Sequence, residues 1–96
     1  MLTITNKLTL DDLLIQAAEE ASELAQALTK YYRVLHHANP TPVTLAQARE
    51  AIVEEIADVN VAVEALRLKL GISCDDIAEV EAAKIERWRR RIENGI

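Results

Sequence analysis

Two short acidic runs hold the residues of this chain best suited to chemistry. Glu19-Glu20-Ala21-Ser22-Glu23 has the form EExxE, and Glu54-Glu55-Ile56-Ala57-Asp58 has the form EExxD. On a helix, residues three apart sit on neighbouring turns of one face, so Glu20 pairs with Glu23 and Glu55 with Asp58. If the two helices run antiparallel, the pairs can face each other across a groove. Four carboxylates meeting there repel one another unless a hard divalent cation takes them as oxygen ligands. Magnesium suits such a site, because it accepts a few carboxylates and keeps waters for a phosphate substrate.

Each run also has a plainer reading. Acidic helix faces are ordinary solubilising features, and EExxE alone fits that description, since Glu19 and Glu23 point away from the apolar stripe of their own helix. The second run is harder to read so. It lies in the stretch Ile52 to Leu70, where Ile52, Ile56, Val59, Val63, Leu66 and Leu70 cover one side of a helix and Val53, Ala57, Val61 and Leu68 most of the rest. At about 100° per residue, Glu55 falls only about 40° from Val59, and Asp58 lies at the border of the same apolar side. A bare carboxylate there is costly unless it is paired or binds a metal. The structural alternative is a salt bridge to Arg49, Arg67 or an arginine near the C-terminus.

Three long helices must position these residues. Thr9 with Asp11 and Asp12 reads as an N-cap followed by an acidic first turn. From Leu10, apolar residues recur at three- and four-residue spacing through Leu35, ending near His36 or His37. Those histidines read as last-turn residues rather than metal ligands. Neither has a Glu three residues earlier, which sets aside a di-iron carboxylate bundle with its Glu-x-x-His pairs. The prolines of the 38–43 segment, ANPTPV, break the helix. Thr44 to Gln47 then forms a capping box, and Gly71 stands where a helix C-terminus wants a left-handed residue. Ser73, Asp75 and Asp76 open a third helix carrying Ile77, Val80, Ile85, Trp88 and Ile92, which stops by Gly95. The expected helices span about 10–37, 44–70 and 74–94, with residues 1–8 a short lead-in.

Composition points the same way. Hydrophobic residues make up 50% of the 96, only 3% are aromatic, and there is no Phe. Alanine and leucine supply the apolar mass, which favours helices over sheet. The expected fold is one all-α domain over residues 1–96, an antiparallel bundle of three main helices. The middle helix has apolar surface on more sides than two partners in so small a chain can cover. The bundle is therefore expected to be completed by homo-oligomerisation, as a homodimer or a homotetramer. A net charge of -5 argues against binding nucleic acid or an anionic membrane. No apolar run approaches the roughly 18–20 residues of a membrane span, and the N-terminus lacks a signal-peptide pattern. A lone Cys74 suits a reducing cytoplasm. There is no glycine-rich phosphate loop and no nucleophile arrangement.

The two acidic runs resemble the signature of the MazG-like all-α nucleoside triphosphate pyrophosphohydrolases, which share their fold with dimeric dUTPases. That signature is EExxE on one helix and ExxD on the next, here Glu19-Glu20-x-x-Glu23 and Glu55-x-x-Asp58, and the likeness spans about Leu10 to Arg91. The resemblance implies Mg²⁺-dependent hydrolysis (Mn²⁺ substituting) of a nucleoside triphosphate to its monophosphate and pyrophosphate. It implies Glu20, Glu23, Glu55 and Asp58 as metal ligands, with Glu19 beside them positioning water. Family members also carry a lysine, an asparagine and an arginine on successive turns of a later helix near the substrate phosphates. Lys84 and Arg91 match the lysine and arginine, while Trp88 stands at the asparagine position. The segment between the acidic runs is longer than the family pattern, and the extra length falls in the proline-containing loop.

Arg87, Arg89, Arg90 and Arg91 form a basic cluster in the last turns, where cations complement the helix dipole. The rival to an enzyme is a non-catalytic helical dimer that serves as an interaction or adaptor module, its acids structural.

Overall fold

The computed structural model describes residues 1–37 and 40–95. Among the described residues the chain is all-α, with four helices: α1 (Leu2–Lys7), α2 (Leu10–His36), α3 (Leu45–Leu70) and α4 (Cys74–Asn94). Local chemistry sets the ends of the long ones. Thr9 accepts from the Asp12 amide while the Asp12 carboxylate accepts from the Thr9 amide, and Thr44 and Gln47 form the same reciprocal pair. Ser73 accepts from the amides of Asp75 and Asp76 at the start of α4. Gly71 closes α3 at φ 68°, where a side chain would be strained. His37 closes α2 in the same left-handed region, at φ 53°. Of the break expected over 38–43, Ala38 and Asn39 lie outside the described residues; Pro40 to Thr44 are non-helical.

Helices α2 and α3 pack along their length as an antiparallel pair. Leu13 of α2 shares a hollow with Ala65 of α3, and Ala27 shares another with Ala51 at the opposite end of the pair. The buried core is Leu13 with Ala27, Ala48, Ala62 and Ala65. One leucine and four alanines let the helices approach closely but bury little apolar mass.

Two expectations are corrected here. Residues 1–8 are not a plain lead-in: Leu2–Lys7 form a helix that packs on α3. The Lys69 ammonium donates to the Thr5 carbonyl at 2.8 Å, near the C-terminal end of α1, where a cation is favourable. The third long helix also does not pack as an antiparallel neighbour of the other two. The first turns of α4 share a groove with α3, lined by Asn60, Arg67, Cys74 and Ile77, and beyond Ile77 every described residue is exposed. Gly71, Ile72 and Ser73 turn the chain so that α4 leaves the pair, and the Arg67 guanidinium braces the turn by donating to the Ile72 carbonyl at 2.6 Å. The radius of gyration is accordingly 17.0 Å, against about 12–13 Å for a compact chain of this length. No described helix is long and apolar enough to cross a membrane.

Candidate metal centre

The antiparallel register of α2 and α3 brings the two acidic runs together. One carboxylate oxygen from each of Glu20, Glu23, Glu55 and Asp58 lies within 4.8 Å of all the others. Glu20 and Glu55 are half-buried, whereas Glu23 and Asp58 are exposed. Glu19 is exposed and stands outside the four.

No arginine or lysine answers this charge. Among the described residues, none of the four carboxylates takes part in an ion pair. Arg67, one of the cations expected as a structural partner, binds Glu64 instead, through Nε at 3.0 Å and Nη2 at 2.6 Å. Two of the oxygens, Glu20 Oε2 and Glu55 Oε2, are buried with no hydrogen-bond donor. Burial raises the pKa of Glu20, and the charges of Glu23 and Asp58 raise it further. Glu55 is raised in the same way, by burial first and then by the charges of Glu23, Asp58 and Glu20.

Gln16, which sequence reasoning passed over, belongs to this group. Its Nε2 donates to Glu20 Oε1 at 2.8 Å from one turn earlier on α2. That bond occupies one oxygen of Glu20 and leaves the other, Oε2, buried without a partner. A glutamine four residues before a glutamate on one helix was the available signal.

The donor set fits a hard divalent cation. All four ligands are oxygens and carry negative charge, and two of those oxygens lack any other partner. Oxygens bound to one Mg²⁺ lie at most about 4 Å apart, twice the metal–oxygen bond, and the four oxygens here lie within 4.8 Å of one another.

Lys84 and Arg91 are not joined to this cluster within the chain. Both lie on the exposed length of α4. Of the C-terminal arginines, Arg89 pairs with Glu86 at 2.6 Å and with Glu93, and Arg90 lies 3.8 Å from Glu86.

The chain matches no protein-family model, and no curated protein or solved structure matches it.

Proposed function

We propose that the chain is a Mg²⁺-dependent nucleoside triphosphate pyrophosphohydrolase of the MazG-like kind, which converts an NTP or dNTP to its monophosphate and pyrophosphate. The observation that carries this reading is a cluster of four carboxylates that, among the described residues, has no ion-pair partner and holds two buried, unsatisfied oxygens. Glu20, Glu23, Glu55 and Asp58 hold the ion, and Mn²⁺ can replace Mg²⁺. The bound ion supplies neutralisation of the triphosphate charge and a more acidic water.

The rest of the work falls to side chains. Gln16 fixes the orientation of Glu20, as outer partners of metal ligands do. Glu19, exposed beside the cluster, positions the attacking water. The oxygen of that water bonds to the α-phosphorus as its proton passes to solvent. The bond from the α-phosphorus to the bridging oxygen breaks, and its electron pair leaves with the pyrophosphate.

The working unit in this proposal is a homo-oligomer, a two-fold dimer or a tetramer. The chain exposes 7375 Å², against about 5,500 Å² for a compact monomer of its mass. The excess, about 1,900 Å² per copy, is of the size that obligate homodimer interfaces cover. Val80, Ile85, Trp88 and Ile92 of α4 are all exposed, Trp88 at 68%. Lys84 and Arg91 then stabilise phosphate charge from the α4 of a second copy, because α4 stands clear of α2 in its own chain. Light scattering that found a monomer at micromolar concentration would contradict this part. The proposed setting is the cytoplasm, with neither nucleic acid nor membrane as a partner.

The exposed apolar face of α4 also favours the rival reading, a helical dimer that serves as an adaptor. Pyrophosphate release from a panel of canonical and modified nucleoside triphosphates, in Mg²⁺ and in EDTA, separates the two. Mg²⁺-dependent release that disappears in Asp58→Asn supports the hydrolase. Silence across the panel, with no thermal shift on adding Mg²⁺, leaves the adaptor.

A further inference from the structure

The carboxylate cluster sits between two hollows of opposite character. On one side a groove of about 450 Å³ begins at Glu23 and Glu55 and runs along α2 past Gln26 and Ala51 to Lys30 and Arg33. On the other, a hollow of about 310 Å³ is lined by Glu20 and Asp58 together with Leu13, Val61 and Ala62, and its amide comes from Gln16. The path along the helix pair therefore goes from apolar, through four carboxylates, to cationic.

Lys30 and Arg33 are the two cations that line the groove beginning at Glu23 and Glu55. Arg67, Arg89 and Arg90 each find a glutamate one turn away on their own helix. Lys30 and Arg33 share a groove with two glutamates, yet neither forms an ion pair among the described residues. Their spacing places them well for a ligand that starts at the cluster. At 1.5 Å per residue, Lys30 lies about 10 Å and Arg33 about 15 Å along the axis from Glu23. Helical side chains lean back toward the N-terminus, which carries both cationic heads toward the carboxylates. A guanidinium and an ammonium side by side suit a phosphate chain, the first by forked hydrogen bonds and the second as a point charge.

We infer that Lys30 and Arg33 bind the departing pyrophosphate, an inference that rests on the hydrolase reading above. The substrate then has a fixed polarity. Its terminal phosphates point along α2 toward the hairpin turn, and its nucleoside lies over the apolar hollow beside α1.

The test uses Lys30→Gln, Arg33→Gln and the double variant, with Lys30→Arg as the conservative control. Lys30 is exposed and Arg33 only half-buried, so both sites accept the change without loss of core. Three quantities are read: the thermal shift produced by Mn²⁺, the KM for a nucleoside triphosphate, and inhibition by inorganic pyrophosphate. The expected result is an unchanged Mn²⁺ shift, a KM raised about tenfold or more in each glutamine variant, and pyrophosphate inhibition weakened in parallel. Affinity for the matching monophosphate should stay at the wild-type level, and Lys30→Arg should recover most of the loss. An active wild type whose double variant keeps the same KM and pyrophosphate inhibition overturns this assignment and leaves the hydrolase standing. A wild type that neither shifts with Mn²⁺ nor releases pyrophosphate overturns both.

Discussion

Two groups of glutamates in this molecule have opposite surroundings. At the end of α3 and along α4, Glu64 is clasped by Arg67 and Glu86 by Arg89, each about one turn away. There the pKa of Glu64 and of Glu86 is lowered, chiefly by hydrogen bonds from the arginine. In the middle of the α2–α3 pair, Glu20 and Glu55 sit among other acids with no basic partner, and their pKa values are raised. Arginines thus pair with Glu64, Glu86 and Glu93, whereas among the described residues none pairs with the four converging carboxylates. On the proposed function, that difference leaves the central acids open to a charge from outside, the divalent ion.

The comparison is broken most severely at its centre. Glu55→Gln should abolish turnover, by more than the roughly 10–100-fold that changes to the outer partners of a metal ligand cost. In EDTA the same variant should melt at a higher temperature than wild type, since it removes a half-buried charge surrounded by like charges. Full activity in a steady-state assay would show that Glu55 is no ligand. Gln16→Leu tests the support rather than the ligand. Metal affinity should fall by about 10–100-fold while the melting temperature in EDTA changes little.

A pH titration sharpens the contrast. Between the ordinary carboxylate value of 4.5 and the raised native values, folded Glu20 and Glu55 hold protons that the unfolded chain has released. Stability in EDTA should therefore fall as pH rises through that window. Asp12, Glu64 and Glu86 are lowered and act in the opposite direction. The difference between wild type and Glu20→Gln/Glu55→Gln removes their contribution. Melting curves of the two proteins at pH 4 to 7 should converge at the acid end and separate toward neutrality, with the variant the more stable.

The smallest effect belongs to the paired region. Arg89→Ala should leave both turnover and melting temperature near wild type, because exposed pairs on one helix contribute little.

How legible this was in the sequence depends on the range of the interaction. Helix ends are local, so Thr9, Thr44, Ser73, Gly71 and Gly95 mark boundaries that reappear as observed caps. The pairing of Glu20 with Glu23 and of Glu55 with Asp58 follows from helical spacing alone. Their meeting is a matter of register between two helices, and the sequence offered it only as a consequence of antiparallel packing. Helix α1 was missed because six residues are too few to display a period, and its helix is held by α3. The departure of α4 was missed because a cap tells where a helix begins and says nothing of the angle at which it leaves. Lys30 and Arg33 were passed over because a lysine and an arginine on a solvent-facing helix carry no signal until the groove they share with Glu23 is seen.

The most direct test of the central claim is Mn²⁺ binding followed by the paramagnetic signal of the free ion, for wild type and Asp58→Asn at neutral pH. Saturable binding by wild type, with stabilisation on the order of 10 °C at about a hundredfold excess over Kd and its loss in Asp58→Asn, is the predicted result. Equal binding by the two proteins, or none by either, would contradict the claim that the four carboxylates form a metal site.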